Sequence, residues 1–186
     1  IGCNRKNGKR FSAWEHISAV FNDDKKIINF VFTISDIEKL RRAEKHLARM
    51  AYTDSMTGIG NRVYLEQQLS DVLRRRNVKD AEVAVMYIDL DGFKVINDTL
   101  GHGEGDTLLK VVADRLTMSV RVSDVVTRIG GDEFVILVRE VESIDGLKRM
   151  AEKLLYEIHQ PIQLSRELVQ VSASIGIAVS NEVLEG

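Results

Sequence analysis

The sequence predicts an α/β sandwich, with helices and strands interleaved around one sheet, and three observations carry that prediction. Val83 to Ile88 is a near-continuous apolar run of strand length. Apolar stripes at helical spacing flank it, at Leu65, Leu69, Val72 and Leu73 and again at Leu108, Leu109, Val112, Ala113 and Leu116. Two further runs, Val125 to Ile129 and Phe134 to Val138, turn around a pair of glycines as a hairpin.

Taken in order, residues 1–35 read as short strands. Phe11 to Trp14 opens one, Ile17 to Phe21 continues after a break, Asn22 to Lys25 is turn chemistry, and Ile27 to Ile34 is another strand. So short a piece, with no disulfide or metal-ligand set, buries too little to fold alone, so it reads as the tail of a larger sheet domain. A helix follows. Asp36 is placed to cap it, and Ile37, Leu40, Leu47 and Ala51 fall on a heptad stripe with Glu44 at the remaining seam position. Two heptads suit either a paired stalk or a connecting helix packed on its own domain. A charged seam residue suits a joint that shifts.

The α/β pattern begins at residue 53. Its first helix ends in Arg74-Arg75-Arg76, where cations complement the negative end of the helix dipole. Leu147, Met150, Ala151, Leu154, Leu155 and Ile158 mark the last helix. Val169 to Val179 then alternates as one long strand, interrupted at Gly176. No internal repeat or low-complexity tract is evident.

Composition narrows the class. The 186 residues hold one good core, or one core plus a fragment. A net charge of -2 argues against a domain that blankets nucleic acid, which needs a basic surplus. Cys3 is the only cysteine, which excludes an intrachain disulfide and points to a reducing, cytoplasmic setting for this segment. No apolar run approaches the roughly 20 residues of a membrane helix, and no signal sequence opens the chain. Ile1 in place of Met reads as the start of an excised piece, so membrane anchoring of the parent stays open.

Two strand ends carry the chemistry. Val83, Val85, Tyr87, Asp89 and Asp91 share one strand face, and Asp89 directly follows a buried run. A carboxylate there is costly unless a cation or hydrogen-bond donors compensate it. The hairpin RIGGDEFVIL at residues 128–137 supplies Asp132, expected on the strand face of Phe134 and Ile136. If the two strands are neighbours, Asp89 and Asp132 converge on one Mg²⁺, a hard ion that prefers oxygen, with the Leu90 carbonyl as a third ligand. Acids at strand ends also serve as turn residues or helix caps, and spacing alone leaves both readings open. Immediately downstream stands GFKVINDTLGHGEGD, residues 92–106. Lys94 is placed to neutralise phosphate oxygens, while Asn97 and Asp106 offer donors and acceptors for a purine edge. The glycines let backbone approach a ligand closely. A helix, a glycine stop and a fresh helix start explain those glycines equally well, but not the Asp-x-Asp-x-x-Lys run.

In these residues and their order, the sequence resembles the GGDEF family of diguanylate cyclases over about residues 50–180. Gly130-Gly131-Asp132-Glu133-Phe134 is the family signature, and DLDGFKVIND at residues 89–98 looks like its metal and phosphate motif. LGHGEGD at 100–106 looks like its guanine-binding loop. DSMTGIGNR at 54–62 is similar to its opening motif, with Met56 and Ile59 in place of leucines. Several motifs in the right order make the resemblance specific.

The resemblance implies a polymerase-palm-like sheet flanked by helices and the condensation of two GTP into cyclic di-GMP with release of two pyrophosphates. It implies Mg²⁺ (or Mn²⁺) bound by Asp89, Asp132 and the Leu90 carbonyl, with Asp132 also the general base for the ribose 3′-hydroxyl and Glu133 assisting. It implies that Lys94 stabilises phosphate charge with the Gly92 and Phe93 backbone, and that Asn97, His102 and Asp106 hold the nucleotide. By position alone, His102 reads equally as an exposed loop residue. Each site holds one GTP, so two sites must meet across a twofold axis, and a homodimer is implied. Arg121-Val-Ser-Asp124 resembles the family's product-inhibition site, with Lys153 and Arg128 as further contacts. Read without the family, an arginine and an aspartate three apart are a surface ion pair.

Residues 1–35 look like the closing strands of a PAS sensor domain, followed by a linker helix at 36–52 and the cyclase domain at 53–186. TISDIE at 33–38 is similar to the family's Asp-Ile-Thr-Glu ending. Family domains continue past their SASIGIA-like strand, here residues 172–178, into a helix that carries a lysine and an arginine for the triphosphate. The stop at Gly186 therefore implies weak GTP binding and slow turnover for this chain. The stretch from Gln160 to Ser174 also looks like cyclase domains that precede an EAL phosphodiesterase domain, in which the cyclase can serve as a GTP sensor.

Overall fold

The computed structural model describes residues 2–4, 8, 10–75, 82–165 and 167–180. The chain divides into two compact units, Ile1–Arg49 and Met50–Gly186.

The first unit is an antiparallel sheet of β1 (Gly2–Asn4), β2 (Arg10–Phe21) and β3 (Ile27–Asp36) in that order. The break expected after Trp14 is absent. Glu15 and His16 continue the pleat, paired with Ile34 and Thr33, because polar residues in a strand need only face water. The turn is held by Asn22, whose side chain accepts from the Lys26 amide at 2.9 Å. Ile17 lies opposite Phe32 and Ala19 opposite Phe30, so one sheet face is strongly apolar. It lies open, with Phe32 67% exposed and Ile17 56%.

Helix α1 (Glu38–Tyr52) starts where Asp36 accepts from the Glu38 amide at 3.0 Å, the cap the sequence predicts. Leu40, Leu47 and Met50 on it are exposed, and the side chain of Glu44 lies outside the described residues.

In the second unit, α2 (Arg62–Arg75) precedes β4 (Glu82–Asp91), α3 (Phe93–Leu100) and α4 (His102–Ser119). Then come β5 (Val125–Gly130), β6 (Glu133–Val141), α5 (Ile144–His159), β7 (Ile162–Gln163), β8 (Leu168–Val169) and β9 (Ser172–Val179). The main sheet runs β5-β6-β4-β9 and every pairing in it is antiparallel. The architecture is therefore mixed α+β, a central antiparallel sheet with helices on both faces. Alternation along β4 explains both layers. Ala84, Met86, Ile88 and Leu90 face one way, into a core with Phe134, Ile136, Leu108, Leu116 and Leu154. Val83 and Val85 face the other way, with Val125 and Leu137, and are covered by Leu65, Leu69 and Val72 of α2.

The single strand expected over 169–179 is two. β8 pairs with β7, β9 pairs with β4, and buried Val171 leaves the pleat between them. Gly176 does not interrupt β9; it sits opposite Tyr87 with the ladder intact on either side. The C-terminal end of α5 is closed by Arg115 of α4, whose guanidinium donates to the carbonyls of Glu157, Gln160 and Pro161 at 3.1, 2.6 and 2.8 Å. A cation at that end also complements the helix dipole. Of the arginine triplet, Arg74 is exposed on α2, while the Arg75 side chain and Arg76 lie outside the described residues. Among the described residues no helix is long and apolar enough to cross a membrane.

Candidate active site

β4 and β6 are neighbours, and their register places Asp89 directly opposite Glu133. Directly opposed residues share a sheet face, so it is Glu133 that stands beside Asp89, on the side away from the larger core. Asp132 does not share the face of Phe134 and Ile136 in the way the sequence suggests. β6 begins only at Glu133, so Asp132 lies in the turn, where strand alternation does not extend. Its carbonyl accepts from the Leu90 amide at 3.3 Å, which fastens the turn to the end of β4. Gly130 and Gly131 supply φ of 152° and 52°, a backbone path that strongly favours glycine at both positions.

The carboxylates sense one another. Desolvation, and then the charges of Asp132, Glu133 and Asp91, push the Asp89 carboxyl above its ordinary value. Asp91 is anchored separately, accepting from the Ser172 and Ser174 hydroxyls of β9 at 2.7 and 3.1 Å. Tyr87, two residues before Asp89 on the same face, donates to Glu133; that bond, with burial and the charges of Glu133 and Asp89, pushes its phenol up. Tyr87, Ser172 and Ser174 had no role in the sequence reading. Their signal was strand period two, which places Tyr87 in line with Asp89 and both serines on one face of β9.

Among the described residues no three or more His, Cys, Asp or Glu side chains enclose a metal by themselves. What the turn and strand end offer is an open, all-oxygen corner of surplus negative charge.

β4 passes through Gly92 directly into α3. Phe93 is buried in the core and anchors the start of α3, leaving Lys94 exposed in its first turn. Gly101 ends α3 and its amide donates to the Asn97 carbonyl at 2.9 Å. His102 then opens α4 in an exposed position. Asn97 packs on Gly105, so closely that a Cβ there would overlap the amide oxygen of Asn97. Asn97 and Asp106 are half-buried on the two packed helices.

Arg121 and Asp124 adjoin the start of β5. The Asp124 carboxylate accepts from the Arg121 amide at 3.1 Å, whereas the Arg121 guanidinium pairs with Glu142 at 2.8 Å. Both partners of that pair are largely exposed, so it contributes little. Lys153 donates to the Ser119 carbonyl at 3.1 Å, two residues before Arg121. Arg128 stands apart from this group. Its Nη1 donates to Asp54 at 3.1 Å, and its Nε and Nη2 both donate to the Gly131 carbonyl, at 2.9 and 2.7 Å. Only 9% of its side chain is exposed, so its donors are turned inward and not toward a ligand's phosphates.

Asp54 belongs to a turn tied down on every side. Burial by itself would raise its carboxyl, but hydrogen bonds from the Thr57 hydroxyl and amide, and then Arg128, outweigh that and hold it below its ordinary value. Gly60 bridges to Thr127 of β5. Asn61 caps α2 by accepting from the Tyr64 amide at 3.0 Å, and its own amide donates to the Ala51 carbonyl at 2.9 Å.

This arrangement has counterparts. The family described as "Diguanylate cyclase, GGDEF domain" matches residues 51–185. The bifunctional diguanylate cyclase/cyclic di-GMP phosphodiesterase MucR of Pseudomonas aeruginosa is 44% identical over 140 residues, 75% of this chain and 20% of MucR. Diguanylate cyclase TpbB of the same species is 41% identical over 145 residues, 77% of this chain and 33% of TpbB. The chain thus spans a fifth to a third of the length of these relatives. A solved GGDEF domain of TpbB superposes with a TM-score of 0.66 at 42% identity, covering 69% of this chain and 75% of that one. The strand-end carboxylates, the glycine turn and the two-helix loop all lie within the matched span, and the chain belongs to the GGDEF family of diguanylate cyclase domains.

Proposed function

We propose that this domain condenses two GTP molecules into cyclic di-GMP with release of two pyrophosphates. The supporting observation is the strand-end corner, where Asp89 faces Glu133 and Asp132 hangs in the adjoining turn. An all-oxygen corner with surplus negative charge suits Mg²⁺ or Mn²⁺ completed by water and substrate phosphates. Asp89, Asp132 and the Leu90 carbonyl would hold the ion, with Glu133 assisting, and the ion supplies charge neutralisation at the phosphates. Asp132 accepts the proton of the ribose 3′-hydroxyl. Lys94 and the backbone of Gly92 and Phe93 steady the phosphates, and Asn97, His102 and Asp106 hold the nucleotide. The attacking hydroxyl and the α-phosphate belong to GTP molecules on two protomers, so a homodimer is required. Arg121, Asp124 and Lys153 form the site where product binds and inhibits. Residues 1–35 act as a PAS-like input through the linker helix at 36–52, in the cytoplasm, with no nucleic acid partner.

The test is product analysis after incubation of the full-length protein with GTP and Mg²⁺. Wild type yields cyclic di-GMP and Asp132→Ala yields none above background; equal product from both overturns the assignment. A second reading has support from the relatives, since MucR joins cyclase and phosphodiesterase activities in its name. In that reading the domain binds GTP to control a neighbouring EAL phosphodiesterase domain. GTP-dependent hydrolysis of cyclic di-GMP without synthesis would favour it.

A further inference from the structure

We infer that Arg128 is a positioning residue for the reaction, setting the turn that carries Asp132 against the Asp54 turn. The inference rests on the cyclase reading above and concerns how its catalytic turn is held in place.

A turn closed by Gly130 and Gly131 has little conformational preference of its own. Both residues lie at positive φ, and nothing in a glycine side chain restrains them. Yet Asp132 and Glu133 follow directly, and their usefulness depends on a fixed direction. The carbonyl of Gly131 is where restraint enters. It accepts two donors from one guanidinium, at 2.9 and 2.7 Å, so the peptide leading into Asp132 is clamped by a planar fork. On the other side the Asp132 carbonyl accepts from Leu90. The residue is thus pinned through the carbonyls before and after its Cα.

The fork needs an anchor. Arg128 sits on β5, where its amide donates to the Gly60 carbonyl at 2.9 Å, and its third nitrogen meets Asp54 and the Met56 sulfur at 3.1 and 3.5 Å. Asp54 is itself fixed by Thr57, at 2.6 Å from the hydroxyl and 2.9 Å from the amide. A charged pair with 9% and 22% of the two side chains exposed is screened far less than one on the surface. The guanidinium is therefore a rigid strut between a fixed turn and a glycine turn.

A lysine can reach either Asp54 or Gly131 but cannot fork onto the carbonyl while pairing with the acid. Arg128→Lys therefore separates charge from geometry, and Arg128→Met removes both. In the full-length protein with saturating GTP and Mg²⁺, kcat of Arg128→Lys is expected to fall on the order of 100-fold. KM for GTP is expected to change by a smaller factor than kcat, because Asn97 and Asp106 are untouched, and the thermal midpoint should fall less than in Arg128→Met. A folded Arg128→Lys with wild-type kcat would overturn the inference. Should wild type form no product, the cyclase reading fails separately, and Mn²⁺ binding in the presence of GTP, followed by electron paramagnetic resonance, decides. Weaker Mn²⁺ binding in Arg128→Lys than in wild type supports the strut; equal or absent binding in both overturns it.

Discussion

Gly105 shows how a single missing side chain sets a nearby polar group. It is buried within α4, and any Cβ there would overlap the Asn97 side chain. Helix propensity alone would favour alanine by up to about 1 kcal/mol, so the glycine serves packing and not the helix. Gly105→Ala is expected to displace the Asn97 amide and raise KM for GTP roughly tenfold, the scale of one lost hydrogen bond to a buried partner. Steady-state kinetics on the full-length protein would check this, and an unchanged KM would show that Asn97 does not hold the nucleotide from that position. The residues of this loop were legible in the sequence as types and spacing. The overlap between Gly105 and Asn97 was not, because it depends on how closely α3 and α4 approach. Glu133 was legible, by resemblance, as assisting the metal, and not as the residue paired with Asp89. That it, and not Asp132, stands opposite Asp89 depends on the register of β4 with β6, and one residue of slip exchanges every side chain between faces.

Among the elements, the helices were the most legible and the short strands the least. Amphipathic stripes marked α2, α4 and α5 because each buries one face on the sheet. The strand expected from Val169 onward divides instead, since Val171 finds a place in the core and β8 finds its own partner in β7. Nothing in the period-two pattern announces such a change of partner. Arg115 was likewise unread, although it closes α5 through carbonyls more than forty positions downstream. Arg115→Met keeps the aliphatic stem and removes those donors. It is expected to lower stability by about 1–3 kcal/mol, read as a shift of the urea midpoint. An unchanged midpoint would show that water replaces the guanidinium at no cost.

At the scale of the whole molecule, the last turn of α1 goes with the second compact unit, Met50–Gly186. The reason lies in the last turn of that helix, where Asn61 holds the Ala51 carbonyl and its amide donates to that of Tyr52. The first unit carries Ile17, Phe30 and Phe32 in the open. An apolar sheet face in water favours association. Phe32→Lys, on that face of β3, is expected to reduce concentration-dependent self-association of this chain in sedimentation velocity while leaving the melting of the second unit unchanged. Undiminished association would place the contact elsewhere.

The grip of Asn61 on the final turn of α1 has a practical corollary for anyone trimming the chain to its second unit. A start placed after Tyr52 strips the Asn61 side chain of the Ala51 carbonyl and its backbone amide of the Tyr52 carbonyl. A start at or before Met50 keeps both partners, so the shorter fragment is expected to melt at the lower temperature.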